Sequence, residues 1–187
     1  MFLIQNGIIW REWMPIIRTG RMKLLPLAIE HLQMCLGNSP DLERALGCTL
    51  APDSMSDHSR RAMAVKIQKM KDAPKVSHAW YTYWLMVLEE GNTGVGLVGF
   101  KGTPDINGEV EIGYGISPSY QNHGYMTEAV EGLVGWAFHQ PACLAVVAET
   151  LRANYASQRV LEKSGFIVTR ASQTGFYWRL EKNDDNK

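Results

Sequence analysis

Three patterns follow one another without interruption between residues 109 and 138. Val110–Ile116 places apolar side chains at every second position, which is typical of a strand. After the glycine turn at Gly124, apolar residues recur at i, i+3, i+4, i+7 and i+8, as on one face of a helix: Val130, Leu133, Val134, Ala137 and Phe138. A helix that begins at a glycine presents unpaired N–H groups and the positive end of its dipole, with no Cβ in the way. The sequence therefore predicts a strand, turn and helix junction that can bind an anion, most obviously a phosphate.

A second stretch, Asn154–Phe166, lies just past the apolar run Leu144–Ala148. The two stretches, in this order and at this separation, resemble the GNAT superfamily of acyl-CoA-dependent N-acetyltransferases. In that family the turn reads Gln/Arg-x-x-Gly-x-Gly/Ala and wraps the pyrophosphate of coenzyme A. Gln121 and Gly124 match this pattern, whereas Met126 occupies its last small position and Asn122 stands where glycine is common.

The resemblance implies that acetyl-CoA is the co-substrate and that one set of residues binds it. These are Tyr114, Gly115 and Ile116 on the strand, Gln121, Asn122, His123, Gly124, Tyr125 and Met126 in the turn, and Asn154 and Ser157 in the second motif. In relatives, residues at the positions of Arg159 and Lys163 meet the adenosine 3′-phosphate, although a solvated helix face is the default interpretation.

The chain has 187 residues, with 19 Lys+Arg against 19 Asp+Glu. That length suits a single domain over residues 1–187, in which 1–16 is an N-terminal extension and 181–187 a frayed tail. Balanced charge predicts no nucleic-acid partner, and no apolar stretch approaches the roughly 20 residues of a membrane helix. Three cysteines without metal-type spacing predict reduced thiols, no metal site and a cytoplasmic protein.

The remaining periodicities predict an α/β fold with a mixed, mostly antiparallel sheet flanked by helices, in the order β-α-α-β-β-β-α-β-α-β-β of the GNAT acyl-CoA N-acyltransferase fold. In that family the fourth and fifth strands splay apart to admit the pantetheine arm. The opening Thr19–Leu27 resembles the ribosomal-protein-acetylating, Rim-like branch. The expected segments are strands at 16–27, 77–88, 95–100, 166–169 and 176–180, helices at 28–36, 42–46 and 60–71, a loop over most of 47–59, and a short helix capped by Asn154 and ended by Gly165.

Acetyl transfer from a thioester to an amine needs a neutral amine, a donor to the oxyanion and a proton for the thiolate. A backbone N–H among residues 114–116 matches the family's oxyanion donor. Glu111 is the candidate base, with Glu109 on the same strand face as an alternative. Many relatives have a tyrosine that serves as the general acid at the position where this chain has Leu161. The resemblance therefore favours Ser157 as the general acid over Tyr155, as in the Rim-like branch.

The leading hypothesis is an N-acetyltransferase that acts on a primary amine, a protein N-terminus or a small molecule, by direct attack in a ternary complex. Cys143, the cysteine nearest the motifs, has no basic partner in sequence reach and predicts no covalent route. The alternatives are a non-catalytic acyl-CoA-binding sensor or interaction module of the same fold, and an α/β domain that binds no coenzyme. Substrate choice is assigned to 47–58 and 170–175. Both a monomer and a homodimer stay open, and Trp10, Trp13 and the aromatic hairpin that begins at Ser77 could form the interface.

Overall fold

The computed structural model describes residues 14–183. Trp10 and Trp13, and the last four residues of the expected tail, lie outside this range. Its strands are β1 Ile17–Arg18, β2 Met22–Pro26, β3 Thr49–Leu50, β4 Trp84–Leu88, β5 Thr93–Phe100, β6 Glu109–Ile116, β7 Ala145–Leu151, β8 Ile167–Ala171 and β9 Gly175–Glu181. Its helices are α1 Ile29–Leu36, α2 Leu42–Leu46, α3 Asp57–Asp72, α4 His78–Tyr81, α5 Tyr125–Phe138 and α6 Tyr155–Lys163.

The strands form one mixed sheet in the order β1-β2-β4-β5-β6-β7-β9-β8, with β3 paired to the side of β5. Neighbours run antiparallel except for the parallel pairs β3–β5 and β6–β7. Helix α5 packs against β1, β2, β5 and β6, whereas α1 packs against α2 and α3. The expected mostly antiparallel sheet flanked by helices is confirmed.

The sheet is forked between β6 and β7. These two strands pair only at Glu109↔Ala145, Val110↔Val146 and Glu111↔Val147, after which they diverge. Beyond that point β6 continues to pair with β5, and β7 with β9. Residues 113–116 therefore keep backbone groups on their fork side that no strand pairs.

Burial explains why these segments adopt their structures. Val110 and Ile112 of β6 are buried and alternate with less buried neighbours, as the period-two pattern predicts. The predicted stripe of α5 is likewise buried at Val130, Leu133 and Ala137. At the end of the sheet, Trp136 packs against the rings of Trp80 and Trp84 at centroid distances of 4.7 and 5.4 Å.

Three predicted segments differ from the structure. The expected strand over 77–88 is half wrong, because residues 78–81 form α4 and bury Trp80 in the aromatic cluster, so only Trp84–Leu88 is a strand. The expected strand at 16–27 is a hairpin of β1 and β2. Part of the expected loop at 47–59 is ordered too, since β3 crosses it and α3 begins at Asp57, capped by the Ser56 hydroxyl.

The boundaries of the expected extension and tail also shift. Met14 belongs to the expected N-terminal extension but is buried in the core. Glu181 belongs to the expected tail but is the last residue of β9, where it pairs with Ala145 and forms an ion pair with Arg179. Within residues 14–183, no helix is both long and apolar enough to cross a bilayer.

Candidate active site

The turn between β6 and α5 has the backbone geometry of an anion site. Gly124, at the N-cap of α5, has φ 79°, and Asn122 has φ 64°. Both values are left-handed, which explains why relatives favour glycine at these positions and why asparagine is tolerated. The first intrahelical bond joins Glu128 N to Gly124 O, so the N–H groups of residues 125–127 have no helical partner.

Met126, which replaces the expected small residue, is 7% exposed. Most of its side chain therefore packs in the core. The helix stripe, rather than the turn, explains an apolar residue at this position.

A clasp formed by Thr19, Arg21 and Glu128 ties this turn to the β1–β2 hairpin. Glu128 Oε1 accepts from Thr19 Oγ1 at 2.6 Å and from Arg21 N at 2.7 Å, and Oε2 accepts from Arg21 Nε at 2.7 Å. Burial of the Glu128 carboxyl works against these bonds, but together with the Arg21 charge they hold its pKa below the ordinary value. Arg21 also donates to the carbonyl of His123 at 3.0 Å, so the clasp reaches into the turn.

The His123 side chain is exposed and contacts other residues of the turn. It stacks on Tyr125 at a centroid distance of 5.6 Å, and its Nδ1 donates to the carbonyl of Gln121 at 2.7 Å. The Arg21 guanidinium lies 4.6 Å from the centre of the same Tyr125 ring. These contacts hold the His123 ring within the turn, where the residue stays exposed.

A cleft of about 710 Å³, here called the loop cleft, lies beside the turn. It contains ten of the twelve residues singled out from the sequence, all except Glu111 and His123, and it is also lined by Tyr120, Thr127, Arg159 and Lys163. Two basic side chains thus lie at the same cleft as the helix N-terminus. The arrangement suits an extended ligand that carries several negative charges.

The second motif forms α6 as predicted. Asn154 is the N-cap, and its Oδ1 accepts from Ser157 N at 3.1 Å, while Gly165 after the helix has φ 83°. Leu161 is fully buried and faces the core. The predicted cap and the helix end are therefore confirmed, and α6 offers no phenol at position 161.

A second cleft of about 720 Å³, here called the strand cleft, lies between α3 and the sheet. Both segments assigned to substrate choice contribute to it, through Asp53–His58 in part and Ser172–Gly175 in part. It shares with the loop cleft five residues at the fork: Tyr114, Gly115, Ile116, Asn154 and Ser157. Ligands bound in the two clefts would therefore meet at these five residues.

Glu111 lies in the strand cleft, where it forms an ion pair with Lys101. The alternative base, Glu109, forms an ion pair with Arg179. Glu149 of β7 also lines this cleft, and its exposed carboxylate makes no hydrogen bond or ion pair within residues 14–183. With Asp53, the structure therefore brings three carboxylates to the strand cleft, of which the sequence indicated only Glu111 as a base.

Lys66 is an unusual residue of the same cleft, since it is only 8% exposed. Its ammonium donates to the carbonyls of Tyr81, Thr82 and Phe100 at 3.1, 3.3 and 2.6 Å. Burial, together with the charges of Lys69 and Lys101, lowers the pKa of Lys66 to about 7. The contacts attach α3 to the end of β5.

Sequence reasoning missed the clasp, Lys66 and Glu149. Arg21 was available as part of the Thr19–Leu27 stretch, and Glu128 as an acidic residue in the first turn of α5. The basic spacing of α3 gave no sign that one lysine faces inward. Nothing local to Glu149 indicated that its strand borders the fork.

Known proteins resemble this chain in sequence and in fold. The uncharacterized N-acetyltransferase YjdG of Bacillus subtilis (strain 168) is 36% identical over 95 residues, which are 51% of this chain and 56% of that protein. This chain thus spans little more than half the length of that relative. The structure of RimL, a ribosomal L7/L12 alpha-N-protein acetyltransferase in complex with coenzyme A, gives a TM-score of 0.63 at 17% identity and covers 89% of this chain and 97% of that one.

The ribosomal-protein-S5-alanine acetyltransferase from Vibrio fischeri has a similar fold. It gives a TM-score of 0.62 at 15% identity and covers 90% of this chain and 97% of that one. The family model of the acetyltransferase (GNAT) domain matches residues 21–167, from the clasp arginine to the strand after α6. The chain therefore belongs to the GNAT acetyltransferase family.

Proposed function

We propose that this chain transfers an acetyl group from acetyl-CoA to a primary amine, by direct attack within a ternary complex. The carrying observation is that the loop cleft and the strand cleft meet at five residues of the fork. GNAT acetyltransferases use acetyl-CoA as co-substrate. The loop cleft takes the coenzyme, the strand cleft takes the amine, and the thioester lies at Tyr114–Ile116 and Ser157.

Each part of the coenzyme finds a matching group. The pyrophosphate binds the N–H groups of the turn at Gln121–Met126, which carry the positive end of the α5 dipole. The amides of the pantetheine arm hydrogen-bond to the unpaired edge of β6, as an added strand would. Arg159 and Lys163 stand at the same cleft for the remaining phosphate.

The chemical roles follow from the two sides of the fork. A backbone N–H of residues 114–116 donates to the oxyanion, because this edge of β6 has no strand partner. Ser157 gives a proton to the departing thiolate. Glu111 accepts the proton of the amine through water, and Lys101, its ion-pair partner, holds the carboxylate in place.

Direct attack agrees with the burial and the raised pKa of the Cys143 thiol. Cys143 is fully buried, and burial raises the pKa of its thiol to about 11. Such a thiol is a poor nucleophile at neutral pH. The proposal therefore includes no acetyl-cysteine intermediate.

The same proposal places the protein in the cytoplasm as one domain over residues 1–187, acting as a monomer or homodimer without nucleic acid. Cys35, Cys48 and Cys143 are free and buried, which suits a reducing compartment. Light scattering of the purified chain measures its oligomeric state directly.

The first experiment titrates acetyl-CoA against the wild-type chain and Gly124→Trp while thermal unfolding is followed. Ligand at about 100 times its Kd stabilises the wild type by roughly 2.7 kcal/mol. Gly124→Trp abolishes the shift, since the position has φ 79° and a Cβ there meets the Arg21 guanidinium at 3.4 Å. Gly135→Trp is the control, because a Cβ at this glycine of the same helix has open space. Retained binding in Gly124→Trp would refute the assignment of the turn.

The second experiment measures thiol release with a panel of amines. Because the neighbour RimL is an alpha-N-protein acetyltransferase, peptides with a free N-terminal serine or alanine come first, followed by small primary amines. Turnover supports an enzyme. Saturable binding of acetyl-CoA without turnover of any amine supports the sensor instead, for which the buried Leu161 in place of a phenol is the favouring observation.

A further inference from the structure

The side chain of Tyr114 crosses the fork. Tyr114 belongs to β6, yet its hydroxyl lies 2.9 Å from Ser157 Oγ and 3.2 Å from the Ser157 carbonyl oxygen, on α6. The two residues are 43 positions apart in sequence and line both clefts. Asn154 holds the backbone N–H of Ser157 at the same time. Ser157 is thus held at its backbone nitrogen, and the single phenol hydrogen of Tyr114 lies within reach of both its carbonyl oxygen and, at the shorter distance, its hydroxyl.

The proposed reaction needs a proton at the sulfur. The amine nitrogen attacks the thioester carbon, and the carbonyl electron pair moves to oxygen. When the intermediate collapses, the C–S bond breaks and the thiolate takes a proton from Ser157 Oγ. The nitrogen gives its proton through water to Glu111, which releases it to solvent, and the serine oxygen takes a proton back from solvent. The balance is one N–H bond lost, one S–H bond formed, and Ser157 unchanged.

A serine hydroxyl has one hydrogen, so it serves this step only if that hydrogen points at the sulfur. We infer that Tyr114 is the positioning residue for Ser157: its phenol donates to Ser157 Oγ and thereby directs the serine hydrogen toward the thioester. This inference rests on the proposed function. Tyr114 keeps its own proton throughout and transfers nothing.

The surroundings support this role for the phenol. Burial raises the pKa of Tyr114 to about 12, against which the hydrogen bond with Ser157 acts only in part, so the phenol keeps its proton at every assay pH. Position 161 of α6 offers no phenol, because Leu161 stands there and is fully buried. Tyr155, the tyrosine of the second motif, is 72% exposed and makes no hydrogen bond to Ser157 in the described part of the chain.

The test compares Tyr114→Phe, Ser157→Ala and the double variant, with Tyr81→Phe as a control that removes a phenol outside both clefts. CoA release is measured with the best amine of the panel, and also with water as acceptor, because thiolate departure needs the same proton in hydrolysis. Ser157→Ala lowers kcat by about 100-fold, the lower range for a general acid. Tyr114→Phe lowers kcat about tenfold with little change in the KM for acetyl-CoA, and the double variant is no slower than Ser157→Ala.

Three results would overturn the inference. Multiplying losses in the double variant would show that Tyr114 acts independently of Ser157. A raised KM with an unchanged kcat in Tyr114→Phe would show a binding role alone. An unaffected Ser157→Ala would remove the group that Tyr114 is inferred to direct. The acetyl-CoA thermal shift separates these results from failure of the proposed function, since that shift persists in all variants unless the coenzyme site itself is absent from the wild type.

Discussion

Glu128→Gln is the change that most directly tests how the clasp stabilises the turn between β6 and α5. The wild-type carboxylate accepts three hydrogen bonds, from Thr19 Oγ1, Arg21 N and Arg21 Nε. The glutamine amide keeps one acceptor oxygen, but its NH₂ group faces the Arg21 guanidinium, donor to donor. The variant also leaves Arg21 without its counter-charge beside Gly124.

The size of the effect follows from exposure. The Glu128 side chain is 19% exposed, whereas that of Arg21 is 50% exposed and regains water when the pair is broken. Bonds to a charged group each contribute about 1.5–3 kcal/mol, and exposure of one partner reduces the net. We expect Glu128→Gln to lower the free energy of unfolding at pH 7 by about 2 kcal/mol, which lowers Tm by roughly 4–8 °C in a chain of this size.

The pH dependence of the stability difference tests the direction of this effect. The folded pKa of Glu128 lies below its ordinary 4.5, so the carboxylate stabilises the fold above that pH and loses its contribution as the pH falls through the folded pKa. The difference in the free energy of unfolding between wild type and variant, measured by denaturant unfolding, is therefore largest at pH 7 and becomes smaller toward pH 3. Glu131→Gln is the matched control, since Glu131 is an exposed carboxylate of the same helix that has no partner within residues 14–183. A difference in unfolding free energy as small as that of the control, or one that does not change with pH, would refute the reasoning.

Two further predictions concern the turn and the strand cleft. Asn122→Ala destabilises the fold by about 1 kcal/mol and weakens acetyl-CoA binding, because φ is 64° at this position. Asn122→Gly retains the stability and the binding. Equal behaviour of the two variants in chemical unfolding and ligand titration would contradict this prediction. Lys66 has a folded pKa of about 7 against an ordinary 10.5, so the unfolded chain binds more protons between these values. The wild type therefore gains stability relative to Lys66→Met as the pH rises from 7 to 10.5, by up to about 1.4 kcal/mol per pH unit in denaturant unfolding, and a constant difference would contradict the lowered pKa.

Local patterns predicted the parts of the fold and site that local forces determine. The helix stripe of α5, the cap at Asn154 and the left-handed Gly165 each depend on a few neighbouring residues, and the structure has them where the sequence indicated. The first half of the strand expected at 77–88 was wrong, because burial of Trp80 against Trp136 outweighs the strand preference of an aromatic run, whereas Trp84–Leu88 is a strand as expected.

The contacts that organise the site are of another kind. Thr19 and Arg21 meet Glu128 across more than a hundred residues, and Tyr114 meets Ser157 across 43. No periodicity reports such pairs, since each depends on how the strands are ordered in the sheet. The sequence therefore indicated which segments carry the site, and the tertiary structure supplied which side chains hold one another.

The forked sheet has a consequence for self-association. Unpaired strand edges are templates for aggregation, yet the edge of β6 at residues 113–116 faces β7 and α6 of its own chain, where no strand of a second molecule can lie flat against it. The outer edge at β8 is different, because all five of its residues are exposed, including Ile167 and Val168. There a register shift between Val168 and Arg170, and the charge of Arg170, interrupt the straight ladder that an incoming strand would need. The fold thus leaves one strand edge open inside the fork, while its outer strand β8 is unsuited to joining another sheet.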